Sequence, residues 1–236
     1  MSPTLIALLG FAVVGVVHVL VPRLWLVRAR ARLAVQCRQR RAVVITFDDG
    51  PGPKLTPLVV ERLGQAGVPA TFFLLARNVR GNEDIVDDLR SKGHEVGSHG
   101  DQHVHHLWSW PWVGLVDTRA AWRRLHDLTG LDAPRIPFRP PYGKMNLLSL
   151  LWVLWHRTPI TMWTHDSYDT RLSVELKPDA LAAALRSSGG GVVLLHDFDR
   201  SIPNADKQVL AKLDAVLSLR DEGFVFLRVG ELNAAV

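Results

Sequence analysis

A chain of 236 residues, 47% hydrophobic and 22% charged, is long enough for one domain with a substantial core and excludes wholesale disorder. The net charge of +5 is concentrated in Arg23, Arg28, Arg30, Arg32, Arg38, Arg40 and Arg41, with no basic helix or aromatic RNA-binding signature after them, so a nucleic-acid partner is not expected. Cys37 is the one cysteine, which excludes an intrachain disulfide and a cysteine-based zinc cluster.

The first predicted element is a membrane helix. Residues 4–27 hold only His18 and Arg23 as titratable groups, and the uncharged part, 4–22, reaches the roughly 18–20 residues a spanning helix needs. Trp25 and the arginines behind it suit an interfacial anchor. A cleaved signal peptide fits less well, because no basic residue precedes the apolar run and no small-x-small site follows it. The expected organisation is an anchor over 1–27, an Arg-rich juxtamembrane linker over 28–41 and a catalytic domain over 42–236. The positive-inside rule places that domain in the cytoplasm, with the extracytoplasmic side as the alternative.

Beyond residue 41, short apolar runs alternate with amphipathic ones. Strands are predicted over 43–47, 71–75, 95–98, 137–139, 160–164, 192–195 and 224–228. Helices are predicted over 56–65, 83–91, 113–129, 146–156, 178–187 and 204–220. This alternation implies a parallel sheet with right-handed crossovers. Seven strands without an internal repeat favour a barrel-like closure. No glycine-rich phosphate loop follows any strand, so nucleotide binding lacks support. In "HLWSWPWVGL", Trp108, Trp110 and Trp112 read either as an apolar plug over the barrel or as an exposed patch for a membrane interface or a sugar. Residues 147–157 are apolar over too short a span to cross a bilayer and read as a core helix.

The polar residues gather at strand ends. Asp48 and Asp49 end the first strand and His99 and His103 follow the third. Arg139 and Tyr142 follow the fourth, Asp166 and Asp169 the fifth, and His196 and Asp197 the sixth. In parallel α/β barrels these ends meet at the face where active sites form. His99 and His103, four apart, can share a divalent metal if the chain turns helically there, with Asp48 or Asp49 completing a two-histidine, one-carboxylate set suited to zinc or another divalent transition metal. Isolated, such a histidine pair is more often structural; joined to an acid pair on another strand end, it reads as a metal site.

In this order "TFDDGP", "SHGDQH", "RPPYG", "DSYD" and "LLHD" resemble the five motifs of the polysaccharide deacetylases of the NodB-homology type, carbohydrate esterase family 4. The resemblance spans about residues 43–229 and implies a distorted seven-stranded (β/α) barrel. It also implies roles. Asp49, His99 and His103 would bind a divalent metal, most simply Zn2+. Asp48 would be the general base towards water, held by Arg139. The backbone N–H of Tyr142 would help stabilise the oxyanion. His196 would be the general acid for the leaving amine, oriented by Asp166. Leu194, Pro140 and Tyr142 would contact the substrate, Leu194 at the acyl methyl group. Two positions depart from the family pattern: Gly100 stands where Ser or Thr is usual, and Thr170 where a groove tryptophan is frequent. A structural reading makes Arg139 a rim salt bridge and Asp166 a helix cap, and Asp101, Asp169 and Asp197 read as structural.

The reading that follows is a membrane-anchored, metal-dependent amidase removing an N-acetyl or other N-acyl group from an amino sugar. The substrate leans to a sugar on a polyprenyl phosphate; the alternative is a chitin-like or peptidoglycan polymer. A glycan-binding protein without catalysis is the reading from another class.

Overall fold

β1 (Ala42–Asp48) is the hub of the computed structural model, which describes residues 2–171 and 176–234. Its seven residues are all buried, as a strand covered on both faces must be. β2 (Thr71–Leu74) and β5 (Gly191–His196) flank it in parallel. β3 (Glu95–Ser98) lies beyond β2 and β4 (His165–Asp166) beyond β5, while β6 (Val225–Phe226) pairs with the start of β1.

The strands predicted over 137–139 and 160–164 are reduced to bridges at Phe138, which pairs with Ser98 on one side and Ile160 on the other. Pro137, Pro140, Pro141 and Pro159 lack the N–H donors a longer ladder would use. Single bonds still carry the neighbours round: Arg139 N–H donates to Ser98, Thr161 N–H to Phe138 and Thr164 N–H to Val192. Followed through them, the neighbours run from β1 through β2, β3, Phe138 and the 160–166 segment to β5 and back to β1.

Alternation along β1 divides the core. Val43, Ile45 and Phe47 face the outer helices: α2 (Leu55–Ala66), α4 (Glu83–Ser91), which follows the short α3 (Ala76–Val79), α5 (Pro111–Thr129), α7 (Pro178–Ser188) and α8 (Ala205–Leu217). Val44 faces inward, with Phe73, Phe138 and Val192, on to α6 (Leu147–Trp155) and α9 (Val229–Asn233). Thr46 and Asp48 share that inner face, so the strand's polar end opens into the ring.

The expected juxtamembrane linker is not a linker. One helix, α1 (Pro3–Arg40), runs through it. Leu26, Leu33 and Cys37 lie on one helical face and are buried in the inner cluster. The arginines behind them dock: Arg30 donates to the Thr164 carbonyl (3.1 Å), Arg38 to Ser188 (3.2 Å), Arg40 to Glu231 (3.2 Å) and Arg41 to Glu222 (3.0 Å). These cations therefore have a packing role as well as any topological one. Arg41 turns the chain into β1 through a left-handed conformation (φ 48°). The first half of α1 is different: its most apolar 18-residue window has a mean hydropathy of 2.6 and none of it is buried. By length and composition, this helix could cross a membrane.

Candidate active site

Asp49 leaves β1 in a left-handed conformation (φ 70°), and both it and Asp48 face His99 Nε2, at 3.5 Å and 3.7 Å. The turn is braced: Asn78 Nδ2 donates to the Asp49 carbonyl at 2.7 Å, and Leu75 N–H donates to Gly50 at 3.0 Å. His103 (φ 59°) and Tyr142 (φ 57°) are left-handed as well. Three non-glycine residues in this sparsely populated region around one site are the kind of backbone strain that functional constellations hold.

Asp49, His99 and His103 offer ligand atoms that all lie within 4.8 Å of one another. Asp49 Oδ1 stands 3.5 Å from His99 Nε2 and 3.3 Å from His103 Nε2. That carboxylate oxygen is buried and has no hydrogen-bond partner, which a cation would supply. The Arg139 carbonyl lies 2.8 Å from His99 Nδ1. A carbonyl can only accept, so Nδ1 carries the proton and Nε2 presents its lone pair. Burial drives the His99 pKa down to about 3, so the ring stays neutral, as a ligand must. Together these features fit a divalent ion held by one carboxylate and two imidazoles with positions left open.

The loop carrying His103 is supported by a residue that the spacing did not reveal. Asp117, on α5, accepts the N–H groups of Asp101 (3.1 Å) and Gln102 (2.7 Å). Gly100 has φ +89°, and a Cβ there would lie 2.3 Å from Asp117 Oδ2. The missing Ser or Thr at position 100 is thus matched by a carboxylate reaching in from α5, and only glycine leaves it room.

Asp48 is walled in. Arg139, fully buried, donates from Nη1 to Asp48 Oδ1 (2.7 Å) and to Thr46 Oγ1 (2.8 Å), and from Nε to the Thr161 carbonyl (3.3 Å). Burial raises the Asp48 pKa, and the Arg139 charge opposes that rise. The result is a carboxylate with more appetite for a proton than a surface aspartate. In the β1–β5 register Asp48 sits directly beside His196.

His196 is oriented by Asp169, not by Asp166, which corrects the sequence reading. Asp169 Oδ1 lies 2.8 Å from His196 Nδ1, and its Oδ2 accepts the His196 N–H at 3.0 Å. Arg200 (3.3 Å) and Ser167 (2.9 Å) hold the same carboxylate. Asp166 instead accepts the Tyr168 N–H at 2.8 Å, closing the turn by which "DSYD" folds back, so its second acid, not its first, reaches the end of β5. Burial pulls the His196 pKa down, but the Asp169 charge and hydrogen bond, helped by Asp48 and Asp49, outweigh it and lift the value to about 9.

Tyr142 lies over the rim, its ring 4.3 Å from that of His103 and 4.9 Å from that of His105. Its turn is set by Gly143 N–H donating to Pro140 and Lys144 N–H to Pro141. Pro140 and Leu194 are buried, Leu194 on the inner face of β5. Asp197 stays outside the metal group: its Oδ2 accepts the Thr56 hydroxyl at 2.6 Å, and burial pushes its pKa up to about 7. Trp108, Trp110 and Trp112 are 87%, 70% and 56% exposed, which rules out a plug over the ring.

The family model described as polysaccharide deacetylase matches residues 36–153. A peptidoglycan-N-acetylglucosamine deacetylase of Listeria monocytogenes is 30% identical over 84% of this chain, which spans only 40% of that protein's length. A chitooligosaccharide deacetylase of Bradyrhizobium is 31% identical over 78% of this chain and 87% of its own. The crystal structure of the Bc1960 peptidoglycan N-acetylglucosamine deacetylase superposes with a TM-score of 0.71 at 27% identity, covering 84% of this chain and 91% of that one.

Proposed function

Because the chain belongs to the polysaccharide deacetylase family, a family of hydrolases, we propose that it removes the N-acetyl group of an amino sugar by metal-assisted amide hydrolysis. The observation that carries this is the placement of a base and an acid, each with its own partner, at adjacent strand ends beside one candidate metal group. Asp49, His99 and His103 would hold the ion. Bound there, a divalent ion would polarise the acyl carbonyl and acidify water, which an unactivated amide requires.

The chain's own residues supply the rest. Asp48, raised in basicity by burial and fixed by Arg139, takes the proton of the attacking water. The Tyr142 backbone N–H stabilises the oxyanion from the rim. His196, kept protonated by Asp169, gives a proton to the departing amine. Leu194, with Pro140, closes around the acyl methyl group. The complete donor set weighs against a binding protein that has lost catalysis.

Two carriers fit the sugar. α1, long and apolar enough to cross a membrane, supports a membrane anchor and a substrate on a polyprenyl phosphate. The peptidoglycan and chitooligosaccharide deacetylases to which the chain is similar support a polymer. Acetate release from N-acetylchitooligosaccharides and from polyprenyl-phosphate N-acetylglucosamine, with zinc supplied, distinguishes them. Asp48→Asn should retain stoichiometric metal and lose at least a hundredfold in turnover; unchanged turnover would falsify the mechanism.

A further inference from the structure

The tryptophan loop is exposed yet rigidly mounted. Asn146, fully buried, donates from Nδ2 to the carbonyls of Pro111 (2.9 Å) and His106 (3.1 Å), while its Oδ1 caps α6. His106 is buried against Gly114, where a Cβ would lie 2.7 Å from the imidazole. From this base the indoles project outwards, Trp110 and Trp112 stacked at 5.4 Å. The loop borders the site: the Trp108 ring lies 5.8 Å from His105, which itself packs on Tyr142. Exposed aromatic side chains on a fixed loop mark an interaction surface.

The helix beside the loop identifies what covers it. α6, whose N-terminus Asn146 ties to the loop, packs against α1. Leu148, Leu151, Leu154 and Trp155 on α6 are exposed and extend the apolar surface from the loop towards α1, where Trp25 lines one cavity with Leu154. The exposed apolar half of α1 continues that surface into the segment long and apolar enough to cross a membrane.

We propose that Trp108, Trp110 and Trp112 insert into the bilayer interface beside α1, which brings the rim carrying His105 and Tyr142 next to the membrane surface. The inference rests on the reading of α1 as a membrane helix, and adds to it a second contact and an orientation. Indoles favour this interfacial layer, where an apolar ring and an N–H donor are both accommodated.

The test uses the full chain in phosphatidylcholine vesicles with ordinary or brominated acyl chains. Trp25→Phe reports α1, and W108F/W110F/W112F reports the loop, each through the tryptophan quenching it removes. Both are expected to remove a distinct share. W108S/W110S/W112S is expected to raise KM at least tenfold for a vesicle-borne N-acetyl amino sugar and to leave kcat/KM on soluble N-acetylchitooligosaccharide unchanged. A chain that stays off the vesicles overturns the anchor reading and this one with it. A chain that binds while W108F/W110F/W112F removes no quenching overturns the loop contact alone. Equal losses on both substrates make the loop a sugar platform and also overturn it.

Discussion

The pairing of His196 with Asp169 makes a quantitative prediction. Lifting the imidazole from an ordinary ~6.5 to about 9 corresponds to about 3 kcal/mol of preference for the protonated form at ~1.4 kcal/mol per unit. The folded value lies above the unfolded one, so this contribution to stability is complete below ~pH 6.5 and is lost as pH rises through about 9. Asp169→Asn removes the main support and leaves burial, which pulls the value down, against only the smaller contributions of Asp48 and Asp49. The imidazole should then be neutral at pH 7 and unable to protonate the amine. In a pH profile of kcat, the basic limb should move acidward by more than one unit, and kcat at neutral pH should fall roughly 10²–10⁴-fold, the usual size of a general-acid contribution. Asp166→Asn should lose only a turn hydrogen bond, with the basic limb in place. The opposite result, an acidward limb in Asp166→Asn and a parental limb in Asp169→Asn, would refute the reasoning.

Two further outcomes follow from buried charges and close contacts. Arg139→Met strands the Asp48 carboxylate inside the ring and should cost about 3–5 kcal/mol, read as a fall in Tm of about 10 °C; adding Asp48→Asn should restore part of it. Gly100→Ser installs the family's usual residue type but forces a Cβ against Asp117, so it should weaken zinc affinity measured by calorimetry. Combined with Asp117→Ala it should weaken affinity by less than the two single effects summed, as expected for side chains competing for one space.

Much of this architecture was legible in residue order, because strand-end positions in a parallel α/β fold are set by local alternation. The "TFDDGP" and "SHGDQH" stretches placed Asp48, Asp49, His99 and His103 on one rim before any geometry was known. What escaped the sequence was three-dimensional contact. Between Asp166 and Asp169, nothing local distinguishes the acid that closes a turn from the one that reaches back to β5. Asp117 sits inside a helical pattern, where an acid ordinarily reads as solvated surface; only the room that Gly100 leaves for its carboxylate shows why it is buried. The Arg-rich stretch misled in a different way. Its charges suggested a solvated linker, whereas the Leu26, Leu33 and Cys37 spacing was the stronger signal of a docked helix.

That docked helix makes α1 two things at once, and truncation separates them. Removing residues 1–22 takes away only exposed apolar surface together with the buried Pro22, so a chain starting at 23 should fold. A start at 42 also removes Leu26, Leu33 and Cys37 from the inner cluster and opens Val44 and Val192 to water. At roughly 1.5–3 kcal/mol for each of the two buried leucines, with Cys37 and the newly exposed valines adding to it, the loss is about 5 kcal/mol or more. That is comparable to the whole stability of a domain, typically about 5–15 kcal/mol. Fragment 23–236 should therefore give a cooperative melt and bind zinc, whereas 42–236 should be insoluble or melt many degrees lower. Equal melts would mean that the contact between α1 and the ring carries no weight. In that case the tryptophan loop would have to meet the bilayer unaided, since only an α1 docked on β1, β5 and α6 can tie the domain's position to the membrane helix.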